Sequence, residues 1–289
     1  MVKTLPLSLT YFPCMMRTTS TRIQLEKSAK DSSVAAPSRQ GASYPRQTAA
    51  HLYFIFGGMW LSLSWYLRRL IGRLPTDVAA ERLMMHQKFS RYISLLERWN
   101  LVEISFRGFE DSSSWQGSVI APNHPSILDA ILLMTRLPGL DCVMNARLLR
   151  DPVMTGVARL CNFVRNDTPF SMVRDSRERL AKGSNVLIFP EGTRSNATPV
   201  GVFHHGYALA AARAKAPIRT VFIECDSDYF GRNFSYFRPA RCPVRYHLSA
   251  GRVFFPGPKD DPRTISGEIE SYFRENLRPN RQEAPRPQT

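Results

Sequence analysis

The stretch GSVIAPNHPSILDAILLMTR, residues 117–136, decides the fold. Gly117 opens a short apolar run, Ser118 to Ala121, that ends on Pro122, a residue with no N–H to continue a ladder. From Ser126 to Arg136 the apolar residues recur at helical spacing, so the segment predicts a buried strand, a tight loop and a helix over 126–136. The loop holds His124, and the first helical turn holds Asp129. Ser126 and Asp129 fit the Ser-x-x-Asp capping pattern, which explains Asp129 but leaves His124 without a task. In the alternative the carboxylate holds the imidazole in one tautomer and stabilises its protonated form, and the neutral ring is matched to remove a proton from a hydroxyl. Both readings stand on this stretch alone.

The same alternation extends outward from there. LVEISFRG (101–108) alternates in period two, and DCVMNA (141–146), CNFVRN (161–166), SNVLIFP (184–190) and PIRTVFIEC (217–225) read as further strands. SRERLAKG (176–183), GYALAAARAKA (206–216) and ISGEIESYFRENL (265–277) read as helices. Strand and helix in turn predict an α/β fold with a mixed, mostly parallel sheet flanked by helices. Upstream, LYFIFGGMWLSLSWYL (52–67) is shorter than the about 20 apolar residues of a spanning helix. Trp60, Trp65 and Tyr66, with Arg68, Arg69 and Arg73 beyond them, suit a membrane interface. Residues 76–99 predict an amphipathic helix with Leu83, Tyr92, Leu95, Leu96 and Trp99 near one face and Arg82, Lys88, Arg91 and Arg98 supplying charge. The pair forms either a hairpin lying on a bilayer or an ordinary helical pair packed on the domain.

The domain boundaries follow. Residues 1–48 have the polar composition of a disordered extension, similar also to an Arg/Ser-rich transit peptide or to the product of a misplaced start codon. Residues 49–100 form a membrane-associated helical segment, 101–277 the α/β domain and 278–289 a Pro-rich flexible tail. The chain carries 39 Lys and Arg against 24 Asp and Glu, a net charge of +15. Seven of the basic residues lie before residue 51, against Glu26 and Asp31. Such an excess attracts polyanions: nucleic acid, anionic headgroups or an acidic carrier protein. No nucleic-acid-binding signature accompanies it, which argues against a nucleic-acid partner. Five cysteines without a CxxC pair point to a reducing compartment and away from structural zinc. There is no GxSxG, HExxH or GxxxxGK[ST] sequence, and the adjacent His204 and His205 suit loop positions better than a metal site.

FPEGTRS, residues 189–195, follows the apolar strand NVLI as NHPSILD follows SVIA, so in an open α/β sheet both loops reach the rim beyond the strands' carboxyl ends. In this order and separation they resemble the glycerolipid acyltransferase family typified by 1-acylglycerol-3-phosphate acyltransferase. The family's NHxxxxD motif is met by Asn123, His124 and Asp129, and FPEGTRS is met in full. The resemblance implies that His124 is the general base and Asp129 its partner, and that Asn123, Arg165, Glu191, Gly192, Thr193 and Arg194 hold the acceptor. Arg194 suits a phosphate on its own chemistry, since guanidinium makes two-pronged contacts. The resemblance further implies fatty acyl transfer from acyl-CoA or acyl carrier protein to a lysophospholipid hydroxyl such as that of 1-acylglycerol-3-phosphate. It calls for no cofactor or metal, membrane lipids as partners, and membrane association with the site facing the cytoplasm. A different lipid hydroxyl acceptor, or an inactive membrane-bound relative, is the competing expectation. Three departures bear on the acceptor: Arg159 stands where the family has a glycine, FHHG replaces FKxG so that His204 takes a lysine's place, and Thr220 replaces a proline in APIRT.

Overall fold

The computed structural model describes residues 40–73, 77–195, 200–227, 231 and 240–277. The expectations for residues 1–39 and for the tail 278–289 lie outside them. In chain order the elements are α1 (Gln40–Leu70), α2 (Val78–Arg98), β1 (Val102–Arg107), β2 (Val119–Pro122), α3 (Asp129–Arg136), β3 (Asp141–Asn145), α4 (Met154–Leu160), β4 (Val164–Asn166), α5 (Pro169–Ala181), β5 (Val186–Leu187), α6 (Gly206–Ala214), β6 (Ile218–Cys225), β7 (Val244–Phe254) and α7 (Pro262–Asn276). The sheet has seven strands in the order β1-β7-β6-β2-β5-β3-β4. Strands β6, β2, β5, β3 and β4 run parallel to one another, β7 runs antiparallel to β6, and β1 is parallel to β7. The expected mixed, mostly parallel α/β sheet is therefore present.

Central strands read as unbroken apolar runs because both faces are covered. Val119, Ile120, Ala121, Val186, Leu187 and Ile218 are all fully buried. One face packs Leu132, Leu133, Phe89 and Leu96, and the other Tyr207, Ala208, Ile269 and Phe273. Helix starts are fixed by side-chain caps: Asp77 accepts the N–H groups of Ala79 and Ala80, Thr168 that of Ser171, and Asp261 that of Arg263. Helix α3 starts at Asp129, not at the expected residue 126, because residues 126–128 are committed to the loop described below.

The amino-terminal helices depart from expectation in four particulars. Helix α1 starts at Gln40, inside the segment 1–48 read as disordered. Its Gln47 explains this: the amide donates to Ala240 O at 2.8 Å and accepts Ala240 N–H at 3.1 Å, tying the helix to the approach to β7. On α2 the buried face is Met85, Phe89, Tyr92, Ile93 and Leu96, and Leu83 is exposed. Arg82 turns inward, where Asp141 accepts from it and from Arg179 on α5. Burial raises the pKa of Asp141, the two guanidiniums opposing this, so the pairing compensates a carboxylate that the sheet has desolvated. Trp65 is also buried, with Arg69 and Arg159 over its ring at 5.6 and 5.5 Å. The arginine that stands in place of the family's glycine is thus spent on packing α1.

Two glycines set the crossing of α1 with the α4 region. A Cβ at Gly58 would meet Val153 O at 2.6 Å, and one at Gly156 would meet Ser62 N at 2.3 Å. Ser62 Oγ accepts the Gly156 N–H at 2.8 Å, an orphan donor of α4's first turn. Gly156→Ala is therefore expected to destabilise the fold by about 1–3 kcal/mol, because backbone must move to admit the methyl. The sign is diagnostic, since alanine in an open helix position stabilises by up to about 1 kcal/mol. Gly267→Ala on α7, with no atom near its Cβ position, is the matched control and should raise Tm. Thermal unfolding of both variants checks the pair.

Candidate active site

The loops after β2 and β5 leave neighbouring parallel strands at the same edge and are bonded to one another. His124 N–H donates to Glu191 Oε1 at 3.0 Å, and Ser195 N–H donates to His124 O at 2.7 Å. Ser195 Oγ–H donates to the same Glu191 oxygen at 2.6 Å, while Glu191 Oε2 accepts Gly201 N–H at 2.9 Å. Glu191 is buried, and both of its oxygens are engaged within the protein. It was expected among the acceptor-binding residues; its geometry instead assigns it to joining the two loops, because a buried carboxylate is held by as many donors as can reach it.

Asn123 departs from expectation in the same way. Its amide donates to Ile223 O at 2.9 Å and accepts Ile223 N–H at 2.7 Å, a paired contact with β6 inside the sheet. Buried, with one N–H and its oxygen engaged by β6, it anchors the loop.

With the loop pinned on both sides, the His124 side chain is held between two partners. Its ring stacks on Phe189 at 3.8 Å between centroids, the planes 19° apart. Its Nδ1 lies 2.9 Å from Asp129 Oδ2, and the side chain is 18% exposed against 0% for Asp129. The same Oδ2 accepts Ser126 N–H at 2.8 Å. Asp129 thus holds the imidazole and ties the loop through the Ser126 N–H, but it does not cap α3, whose start at Leu128 carries no side-chain cap bond. Oδ1 is buried without a hydrogen-bond partner. Burial raises the pKa of Asp129, opposed by His124 and by the Ser126 N–H, so the ionised form depends on those two donors. A proton on Nδ1 facing the carboxylate leaves Nε2 with its lone pair, and no described protein group bonds to it. A partly exposed ring with a free basic nitrogen can take a proton from a hydroxyl placed there.

The remaining predicted residues differ in where they lie and how they are engaged. Gly192 closes a turn, its N–H donating to Phe189 O at 3.0 Å, and has φ +65°, a conformation that needs glycine. A Cβ there would also approach the His204 ring at 3.2 Å, so the histidine that stands in place of a lysine sits over this turn. Thr193 is exposed and Arg194 partly buried, with one Arg194 nitrogen donating to Gly231 O. Arg165, on β4 at the sheet's far edge, is 53% exposed and paired with Asp167 at 2.9 Å; no bond joins it to the His124 cluster. Thr220, the third departure, is buried and donates to Arg252 O at 2.7 Å, so its hydroxyl belongs to the β6–β7 pairing. Phe189 and Ser195 were missed as site residues although both lie within FPEGTRS. Among the described residues no group of His, Cys, Asp and Glu could hold a metal ion.

Known proteins resemble the chain in sequence and in fold. A family model described as Acyltransferase matches residues 103–224. The chain is 26% identical over 192 residues to 1-acyl-sn-glycerol-3-phosphate acyltransferase alpha of Ovis aries, covering 63% of this chain and 66% of that one. It is 32% identical over 135 residues to the human beta form, 44% of this chain and 48% of that one. The chain thus spans about two thirds, or less, of the length of these curated relatives. In structure it is similar to the 1-acyl-sn-glycerophosphate (LPA) acyltransferase PlsC of Thermotoga maritima. The TM-score is 0.61 at 17% identity, over 82% of this chain and 95% of that one, a likeness of fold.

Proposed function

We propose that this chain, which belongs to the glycerolipid acyltransferase family, acylates the free hydroxyl of a lysophospholipid, 1-acylglycerol-3-phosphate foremost, from an acyl-CoA or acyl carrier protein thioester. The observation that carries the reading is the His124–Asp129 pair, 2.9 Å apart, on a loop clamped to FPEGTRS. Nε2 removes the proton from the acceptor hydroxyl as its oxygen attacks the thioester carbonyl. The tetrahedral intermediate collapses, the C–S bond breaks, and the protonated imidazole returns its proton to the leaving thiolate. Asp129 stabilises the imidazolium between those steps. The residues suit this two-substrate proton transfer without a resident cofactor or metal. Arg194, Arg165 and the turn at Gly192 and Thr193 are the groups that would meet the phosphate of the acceptor.

The same proposal includes attachment to a membrane whose lipids supply the acceptor. No described helix is long and apolar enough to cross a membrane. Helix α1 instead exposes Leu52, Tyr53, Phe56, Met59, Trp60, Leu63, Tyr66, Leu67 and Leu70 beside Arg69 and Arg73, a composition suited to lying in an anionic interface. Exposed Ile127, Leu148, Phe170 and Val202 follow β2, β3, β4 and β5 on the catalytic edge and favour the same orientation. Burial pushes the Cys142, Cys161 and Cys225 thiols up to about 12, consistent with inert thiols in a reducing, cytoplasm-facing setting.

The test is mass spectrometry of lipids after incubating the full chain with an acyl-CoA and vesicles carrying a panel of lysolipids. Phosphatidate formed from 1-acylglycerol-3-phosphate, ahead of every other acceptor, is the expected result. Preference for another hydroxyl-bearing lipid would retain the chemistry and replace the acceptor; no acylated product from any of them would overturn the reading.

A further inference from the structure

We infer that Tyr246 is a positioning residue for the His124–Asp129 pair, acting through Ser126 from the other side of β6. The inference rests on the acyl-transfer reading for its kinetic consequences, though not for its geometry. Asp129 holds the imidazole with Oδ2 alone, because Oδ1 has no partner. That oxygen's second donor is the Ser126 N–H, so the place of Ser126 fixes the place of the carboxylate. Ser126 is fully buried, and its hydroxyl makes two contacts: it accepts Leu128 N–H at 3.2 Å and pairs with Tyr246 Oη at 2.9 Å.

Tyr246 is 1% exposed on β7, in register with Cys225 of β6. Because β6 lies between β7 and β2, the phenol must pass one strand to meet the loop after β2. Burial, helped by Cys225 and Asp129 nearby, raises the Tyr246 pKa far above its ordinary value, so it stays a neutral hydroxyl wherever the enzyme works. The chain of contacts thus runs from the Tyr246 hydroxyl through Ser126 to Asp129 and His124. The hydroxyl also meets Cys225, so Ser126 is one of two side chains it engages.

Tyr246→Phe keeps the ring and deletes one oxygen. Loss of one hydrogen bond in the chain should lower kcat about tenfold, with KM for thioester and lysolipid unchanged, since neither substrate touches Tyr246. Ser126→Ala should act likewise, and the double variant should be no slower than the slower single, because both cut the same chain. A purely structural tyrosine would instead lower Tm and leave kcat alone. The proton shared by His124 Nδ1 and Asp129 supplies a readout independent of turnover: its downfield NMR resonance should shift or broaden in Tyr246→Phe. If the wild type proves inactive, the acyl-transfer reading fails while this resonance still tests the positioning. Should Tyr246→Phe not fold, Ser126→Ala is read the same way. Full kcat with an unchanged resonance in either folded variant, or additive losses in the double, would overturn the inference.

Discussion

Asp129→Asn is expected to lower kcat by about 10³-fold while moving stability by less than about 1 kcal/mol. The two halves of that result have separate origins. In the native loop Oδ2 accepts two donors and Oδ1 has none. An asparagine oxygen in the Oδ2 position can accept the same two N–H groups, and its NH2 then occupies the unpartnered place. One orphan atom replaces another, and the weaker hydrogen bonds of a neutral acceptor are offset by the loss of a desolvated charge. Catalysis has no such compensation. The imidazolium formed when His124 takes the proton loses its counter-charge, and the amide no longer favours one tautomer as strongly. Base catalysis is worth about 10²–10⁴ in rate, and most of it should go. Steady-state kinetics beside thermal unfolding separates the two. A folded variant of near-normal kcat would leave Asp129 only its loop-closing bond to the Ser126 N–H.

His124→Ala should cost more still, about 10⁴-fold or beyond, because no described neighbour carries a basic nitrogen in the same place. Here stability changes as well, and its pH dependence is informative. Removing the imidazole takes away a donor and a counter-charge that oppose the upward shift of Asp129. The folded-state pKa of Asp129 therefore rises further above the ordinary value of 3.8. A carboxyl that binds its proton more tightly when folded stabilises the fold below its unfolded pKa, and that stabilisation is lost as pH climbs to the folded pKa. The variant should thus lose Tm relative to wild type between mildly acidic and neutral pH, with the deficit levelling off above that range. A Tm deficit independent of pH would mean that Asp129 does not carry the charge assigned to it.

The clamp around this pair takes up two of the motif residues. Glu191 and Asn123 look like ligands in a motif, yet each is consumed in holding a loop. Their substitution would disturb catalysis through the position of His124 rather than through acceptor affinity. Exposed polar groups near this pair, among the described residues, include Thr193 and the imidazoles of His204 and His205.

Short-range patterns were enough for much of this protein. Alternating strand and helix periodicities determined the mixed α/β sheet, and two motifs placed His124, Asp129 and FPEGTRS on one edge, because backbone period and loop position are properties of neighbouring residues. The pairing of His124 with Asp129 was legible for the same reason, lying within one turn and one helix start. Tertiary structure alone decided which polar groups remain free. Asn123 meets Ile223 a hundred positions away, and Ser126 meets Tyr246 a hundred and twenty positions away. Arg82 faces Asp141 instead of solvent, Gly156 admits the backbone of α1, and Gln47 draws that helix back to residue 40. Each depends on sheet order and helix crossing. A buried donor or acceptor takes whatever partner the packed chain brings within reach, and that partner leaves no mark on the local pattern.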